Sequence, residues 1–72
     1  MAKSENAVYR VTEVIGTSDN SWEDAARNAV KVASKSLRDL RIAEISKLDV
    51  KIEDGKITQF RARLALSFKY DA

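Results

Sequence analysis

Leu37-Arg38-Asp39-Leu40-Arg41-Ile42-Ala43-Glu44-Ile45 decides the fold. Upstream of it, apolar residues recur at Trp22, Ala25, Ala26, Ala29, Val30, Ala33, Leu37 and Leu40. Those steps of three and four trace one face of a helix over 22–40. Glu23, Arg27, Lys31, Ser34, Lys35 and Arg38 fall on the opposite face. Downstream, a strand opens at Arg41 or Ile42 and runs to about Glu53. Its apolar residues lie on both faces near the start and on one face later, which reads as a strand buried on both faces at one end, with a bulge or bend partway. No Gly or Pro separates helix from strand, so the period is expected to switch from 3.6 to 2 within about one residue. Ile42 is then held between a helix end and a sheet edge, a natural place for a ligand or a neighbouring subunit.

Working outward, Val8 to Ile15 reads as a first strand, stopped by the turn cluster Gly16-Thr17-Ser18-Asp19-Asn20. Ser21 is placed to cap the helix, and Asp24, three residues on, to complete a variant of the capping box. Trp22 lies on the apolar stripe at the first turn, where it anchors the helix start on the sheet end. Beyond the second strand, Glu53-Asp54-Gly55-Lys56 is a hairpin turn with an Asp-Gly pair. The third strand, Ile57 to Tyr70, alternates cleanly. Thr58, Phe60, Ala62, Leu64, Leu66, Phe68 and Tyr70 form one face; Ile57, Gln59, Arg61, Arg63, Ala65, Ser67 and Lys69 form the other. The fold class is α+β: a β-α-β-β unit with one helix on a three-stranded antiparallel sheet. Strands two and three are hairpin neighbours, so strand one pairs beside strand three.

A chain of 72 residues is one domain, with residues 1–7 a short polar disordered leader and 8–72 the folded unit. The leader has no apolar core and does not read as a signal peptide. There is no Cys and no His, which removes disulfides, thiolate and imidazole metal sites and every His-dependent catalytic arrangement. Cysteine absence fits a reducing, cytoplasmic setting. No apolar run reaches the ~18 residues of a membrane span. The net charge of +2 arises from 13 basic and 11 acidic residues with interspersed signs, which lacks the footprint of a nucleic-acid binder. Paired catalytic carboxylates, a phosphate loop and an activated nucleophile are absent as patterns, so the expectation is no enzyme.

The lengths point to assembly. A strand over 57–70 is ~45 Å long at ~3.3 Å per residue, whereas a helix over 22–40 spans ~28 Å. One helix cannot cover such strands, and a core this small is marginal alone, so homo-oligomerisation is expected. Arg61 and Arg63, with Gln59 and Lys69, either grip an anion or pair with Glu13, Glu44 or Asp49 across strands. Asp19, Glu23 and Asp24, and Asp49, Glu53 and Asp54, cluster in sequence without the spacing of a calcium loop.

Several segments together resemble the dodecin family: Val8-Tyr9-Arg10-Val11 through Ile15-Gly16-Thr17-Ser18, Ser21-Trp22-Glu23-Asp24-Ala25-Ala26, Leu37-Arg38-Asp39-Leu40-Arg41, Ile52-Glu53-Asp54-Gly55-Lys56 and Leu64-Ala65-Leu66-Ser67-Phe68. The resemblance implies a hollow homododecamer of β-α-β-β subunits. In the best-known members it implies flavin storage, with a Trp stacking on the isoalloxazine and a Gln bonding its polar edge. Ile42 holds the Trp position, in Arg41-Ile42-Ala43-Glu44-Ile45, and Arg61 the Gln position, in Phe60-Arg61-Ala62. Ile lacks the π face that contributes roughly 0.5–1.5 kcal/mol beyond burial, and Arg cannot accept a hydrogen bond.

These departures bring the sequence closer to the flavin-free, calcium dodecin branch. The function expected is a non-catalytic cage that binds or sequesters a small ligand or ion. Calcium is the ion the resemblance offers, with its ligands unassigned, and flavin (FMN or riboflavin) is disfavoured. The alternatives are flavin storage in an altered pocket and a structural or protein-interaction module. Neither nucleic acid nor membrane is an expected partner.

Overall fold

The computed structural model describes residues 8–69, so the proposed leader and Tyr70 lie outside the described residues. The element order is β1 (Tyr9–Ser18), α1 (Trp22–Ala33), β2 (Leu40–Glu53) and β3 (Lys56–Lys69). The strands form one antiparallel sheet in the order β1-β3-β2, as the connectivity argument requires. Helix α1 covers one face. Ala25, Ala29 and Ala33 pack on Ala62, Leu64 and Leu66 of the central strand, with Val14, Ala26, Leu37 and Leu40 around them. Alanine on the buried stripe lets helix and sheet approach closely.

Two boundaries differ from the sequence reading. The helix ends at Ala33 instead of continuing to Leu40. Its last turn tightens: Lys35 N–H bonds to the Val32 carbonyl and Ser36 N–H to that of Ala33, while the Ser34 and Ser36 hydroxyls bond to the carbonyls of Lys31 and Ala33. Serine side chains that engage nearby main chain compete with helix propagation. Asp39 then reverses the chain with φ of 56°, a left-handed conformation that Asp tolerates better than most residues. Leu37 and Leu40 keep the apolar contact their spacing implies, but from the six-residue connection and from the first residue of β2.

Strand β1 also extends through Gly16-Thr17-Ser18, which the sequence reading assigns to a turn. Gly16 is there for clearance. A Cβ at this position would lie 2.1 Å from the Ala25 carbonyl oxygen and 2.8 Å from the Ala29 Cβ. The glycine marks a close approach of helix and strand. Ser18 replaces part of the expected capping box. Ser21 Oγ accepts from Asp24 N–H at 3.0 Å, but the Asp24 carboxylate accepts from Ser18 Oγ at 2.8 Å. The main-chain N–H of Asn20 donates to Ser18 Oγ.

The start of β2 is not buried on both faces within one chain, since Ile42 and Ile45 are half exposed or more; the expected bend is a set of register shifts, at Leu40/Ile42, Ile45/Lys47 and Lys51/Ile52. The middle one is decisive. Ile45 pairs with Leu64 and Leu48 with Ala62, so two apolar residues three apart both face the helix because Ser46 is bulged out. Its hydroxyl donates to the Arg63 carbonyl at 3.2 Å. At the hairpin, Asp54 and Gly55 have φ of 51° and 75°, the pair of positive values that a type I′ turn demands.

Candidate functional site

The strand register assigns every side chain to a face. Ala62, Leu64 and Leu66 point to the helix, so their neighbours Arg61, Arg63, Ala65 and Ser67 point to the outer face, with their directly opposed partners. On β2 those partners are Asp49, Lys47, Glu44 and Ile42. On β1 they are Thr17, Ile15, Glu13 and Val11.

Ile42, at the start of β2 just past a register irregularity, is opposite Ser67 and 59% exposed. Together with Val30, Leu40, Arg41, Ala43 and Leu66 it lines a small groove of about 120 Å³. Arg61 is opposite Asp49 and bound to it through two contacts, Nε to Oδ1 at 2.7 Å and Nη2 to Oδ2 at 2.9 Å. This hydrogen bonding holds the Asp49 carboxyl below its ordinary 3.8 and raises the Arg61 guanidinium further. Arg63 turns to Glu13 at 3.6 Å. Each arginine thus has a carboxylate across the strands, close at Arg61 and loose at Arg63.

One chain does not bring Ile42 and Arg61 together. Ser67, opposite Ile42, is six positions from Arg61, roughly 20 Å at about 3.3 Å per residue. A ligand touching both positions needs more than one copy of the chain. The acidic clusters are likewise dispersed. Asp24 is taken up by Ser18 and by Arg27, Asp49 by Arg61, and Glu53 by Lys51. Among the described residues, no group of three or more acidic side chains is close enough to hold a metal ion.

Trp22 sits on the helix side at the opposite end from Ile42. Its ring meets Phe60 edge-on with centroids 5.2 Å apart, and its indole N–H donates to the Asp49 carbonyl at 3.0 Å. It anchors the helix start, as the stripe implies. Asn28 donates to the Thr17 carbonyl on β1 in the same manner, so α1 is tied to both edge strands. Asp49 thereby links Trp22, through its main chain, to Arg61, through its carboxylate.

Sequence reasoning passed over Lys47. The bulge at Ser46 sets it opposite Arg63 on the outer face. The signal was present in the spacing of Ile45 and Leu48, which cannot share a face in an unbulged strand.

The family model for Dodecin matches residues 8–71. The chain belongs to the dodecin family. Calcium dodecin of Mycobacterium tuberculosis is 45% identical over 64 residues, covering 88% of this chain and 89% of that protein. Among solved structures, dodecin from Streptomyces coelicolor superposes with a TM-score of 0.88 at 40% identity, over 96% of this chain and 99% of its own. The crystal structure of the mycobacterial calcium dodecin, described as calcium-chelating with a novel calcium-binding site, gives 0.79 at 42% identity, over 90% and 93%. Dodecamer assembly is known for the family, whose members are small binding proteins. Small-ligand or calcium binding is supported at that level.

Proposed function

We propose that this dodecin is a non-catalytic, cytoplasmic homododecameric cage that sequesters a small ligand or ion and has lost flavin stacking. The observation that carries this reading is the Asp49–Arg61 pair. Arg61, at the family's flavin-bonding position, is a cation engaged by two carboxylate oxygens, where a neutral amide would serve a flavin edge. Ile42, at the stacking position, offers no ring.

The cage is supported by what a single copy leaves uncovered. Helix α1 has 12 residues, ~18 Å at 1.5 Å per residue, on a chain 55 Å long. Contact with the helix falls mainly on β1 and β3. Ile45 and Leu48 of β2 face the helix side yet are 50% and 49% exposed. Neighbouring copies would cover that trough. Calcium is the ion of choice, by likeness to the mycobacterial relative, and its oxygen ligands would come from carboxylates of more than one copy.

Riboflavin titration followed by fluorescence tests the reading. We expect no quenching at micromolar protein and a colourless preparation. Micromolar or tighter quenching would replace sequestration of another ligand with flavin storage in an altered pocket.

A further inference from the structure

We propose that the outer sheet face carries a binding site for small multivalent phosphate anions, formed by Lys47, Lys51 and Arg63 around the Asp49–Arg61 pair. This deepens the small-ligand reading above and names its ligand class.

The β2 bulge creates the site. Were the register unbroken from Ile45–Leu64, Lys47 would oppose Ala62 and face the helix. The shift sets it opposite Arg63 instead, and like charges directly opposed in a sheet repel. Nothing among the described residues relieves this repulsion fully. Both Asp49 oxygens are engaged by Arg61, at 2.7 and 2.9 Å. The carboxylates that reach the other cations do so loosely, Glu13 to Arg63 and Glu53 to Lys51, each at 3.6 Å. Those separations exceed hydrogen-bond length, the groups are exposed, and such pairs contribute little. Lys47 has no ion pair among the described residues.

Reach and charge select the ligand. Lys47 and Lys51 lie on one face four residues apart, roughly 13 Å between Cα atoms. From its exposed pair with Glu53, Lys51 would swing back toward Asp49, and Lys47 would reach the same place from the other side to meet one anion beside Arg63. Three exchangeable cations suit an anion with several oxygens and more than one charge, since charge-assisted bonds to phosphate are the strong ones. Glu13 and Glu44, one row further on and flanking Ala65, bound the site on that side.

Calorimetry of the full chain with inorganic pyrophosphate and with phosphate, in calcium-free buffer at fixed ionic strength, tests the proposal. We expect saturable binding that chloride does not reproduce. Lys47→Ala should weaken it about tenfold or more, Lys47→Arg should retain it, and Lys35→Ala, in the connection after α1, should leave it unchanged. Absence of saturable heat, or equal affinity in Lys47→Ala with unchanged assembly, would overturn the site. Displacement of pyrophosphate by a single-stranded oligonucleotide would overturn the assignment to a small ligand. Flavin quenching alone would sink the loss of flavin stacking and leave this site standing, whereas phosphate failure without flavin binding would sink this site only.

Discussion

Asp49 accepts from Arg61 through both carboxylate oxygens, across directly opposed positions of β2 and β3. The pair fixes a pH dependence. Hydrogen bonding from Arg61, the largest cause, holds the Asp49 carboxyl below its ordinary value. A depressed folded-state pKa means that the contribution is fully present above the unfolded value and fades as pH falls through the folded one. The stability advantage of the parent over Asp49→Asn should therefore hold steady near neutrality and shrink as pH falls through and below the ordinary carboxylate range. Paired thermal melts across that range check this, and a gap that widens toward acid would contradict the assignment.

Gly16→Ala should be among the most damaging single-methyl changes in the chain. The added Cβ meets main chain, the Ala25 carbonyl oxygen at 2.1 Å, and no side-chain rotation relieves it. Overpacking commonly costs about 1–3 kcal/mol, and a clash with the helix backbone belongs at or above the upper end. Urea denaturation should show a large fall in midpoint. Gly55→Ala meets no neighbouring atom and is strained only by its φ of 75°, so it should cost less.

The three-stranded sheet, its order and the hairpin were legible because alternation in β3 is clean and Asp54-Gly55 has one natural use. The helix end was not, because Leu37 and Leu40 continue the apolar spacing after the helix has stopped. Periodicity reports which residues reach the core and not by what backbone path. Gly16 misled in the same way: a glycine before a helix reads as a turn, while its real constraint is the helix main chain at the Ala25 carbonyl oxygen, with the Ala29 Cβ beside it. The cross-strand partners of Arg61 and Arg63 were among those the sequence offered. That Asp49 takes Arg61 and Glu13 takes Arg63 depends on the Ser46 bulge and on the register of β1.

Trp22→Phe separates the two roles of the indole. Phenylalanine keeps an edge contact with Phe60 but cannot donate to the Asp49 carbonyl. Loss of one neutral hydrogen bond predicts about 1 kcal/mol. Trp22→Ala also removes the ring and should cost more. Leu64→Ala and Leu66→Ala, at side chains almost fully buried, should each cost about 2–5 kcal/mol. Light scattering of the parent should report a multiple of its 8.1 kDa mass. A core this small makes the leucine variants disassemble and unfold together, so their melting should depend on protein concentration.

Ile42 and Arg61 stand at the positions where, under the proposed function, the family's flavin contacts are replaced. Ile42→Trp restores a stacking face, and Arg61→Gln restores an acceptor while removing a charge. Each alone should do little. Tryptophan without the amide leaves the guanidinium in place, and the amide without tryptophan leaves no ring to stack on. Arg61→Gln also frees the Asp49 carboxylate, and Trp22 still holds that residue's main chain, so the strand should keep its register. Stacking contributes roughly 0.5–1.5 kcal/mol per aromatic pair, and a site shared between copies gains it more than once. The double variant should therefore quench riboflavin where the parent and both single variants do not. An assembled double variant without quenching would show that Ile42 and Arg61 are not where this scaffold meets a flavin.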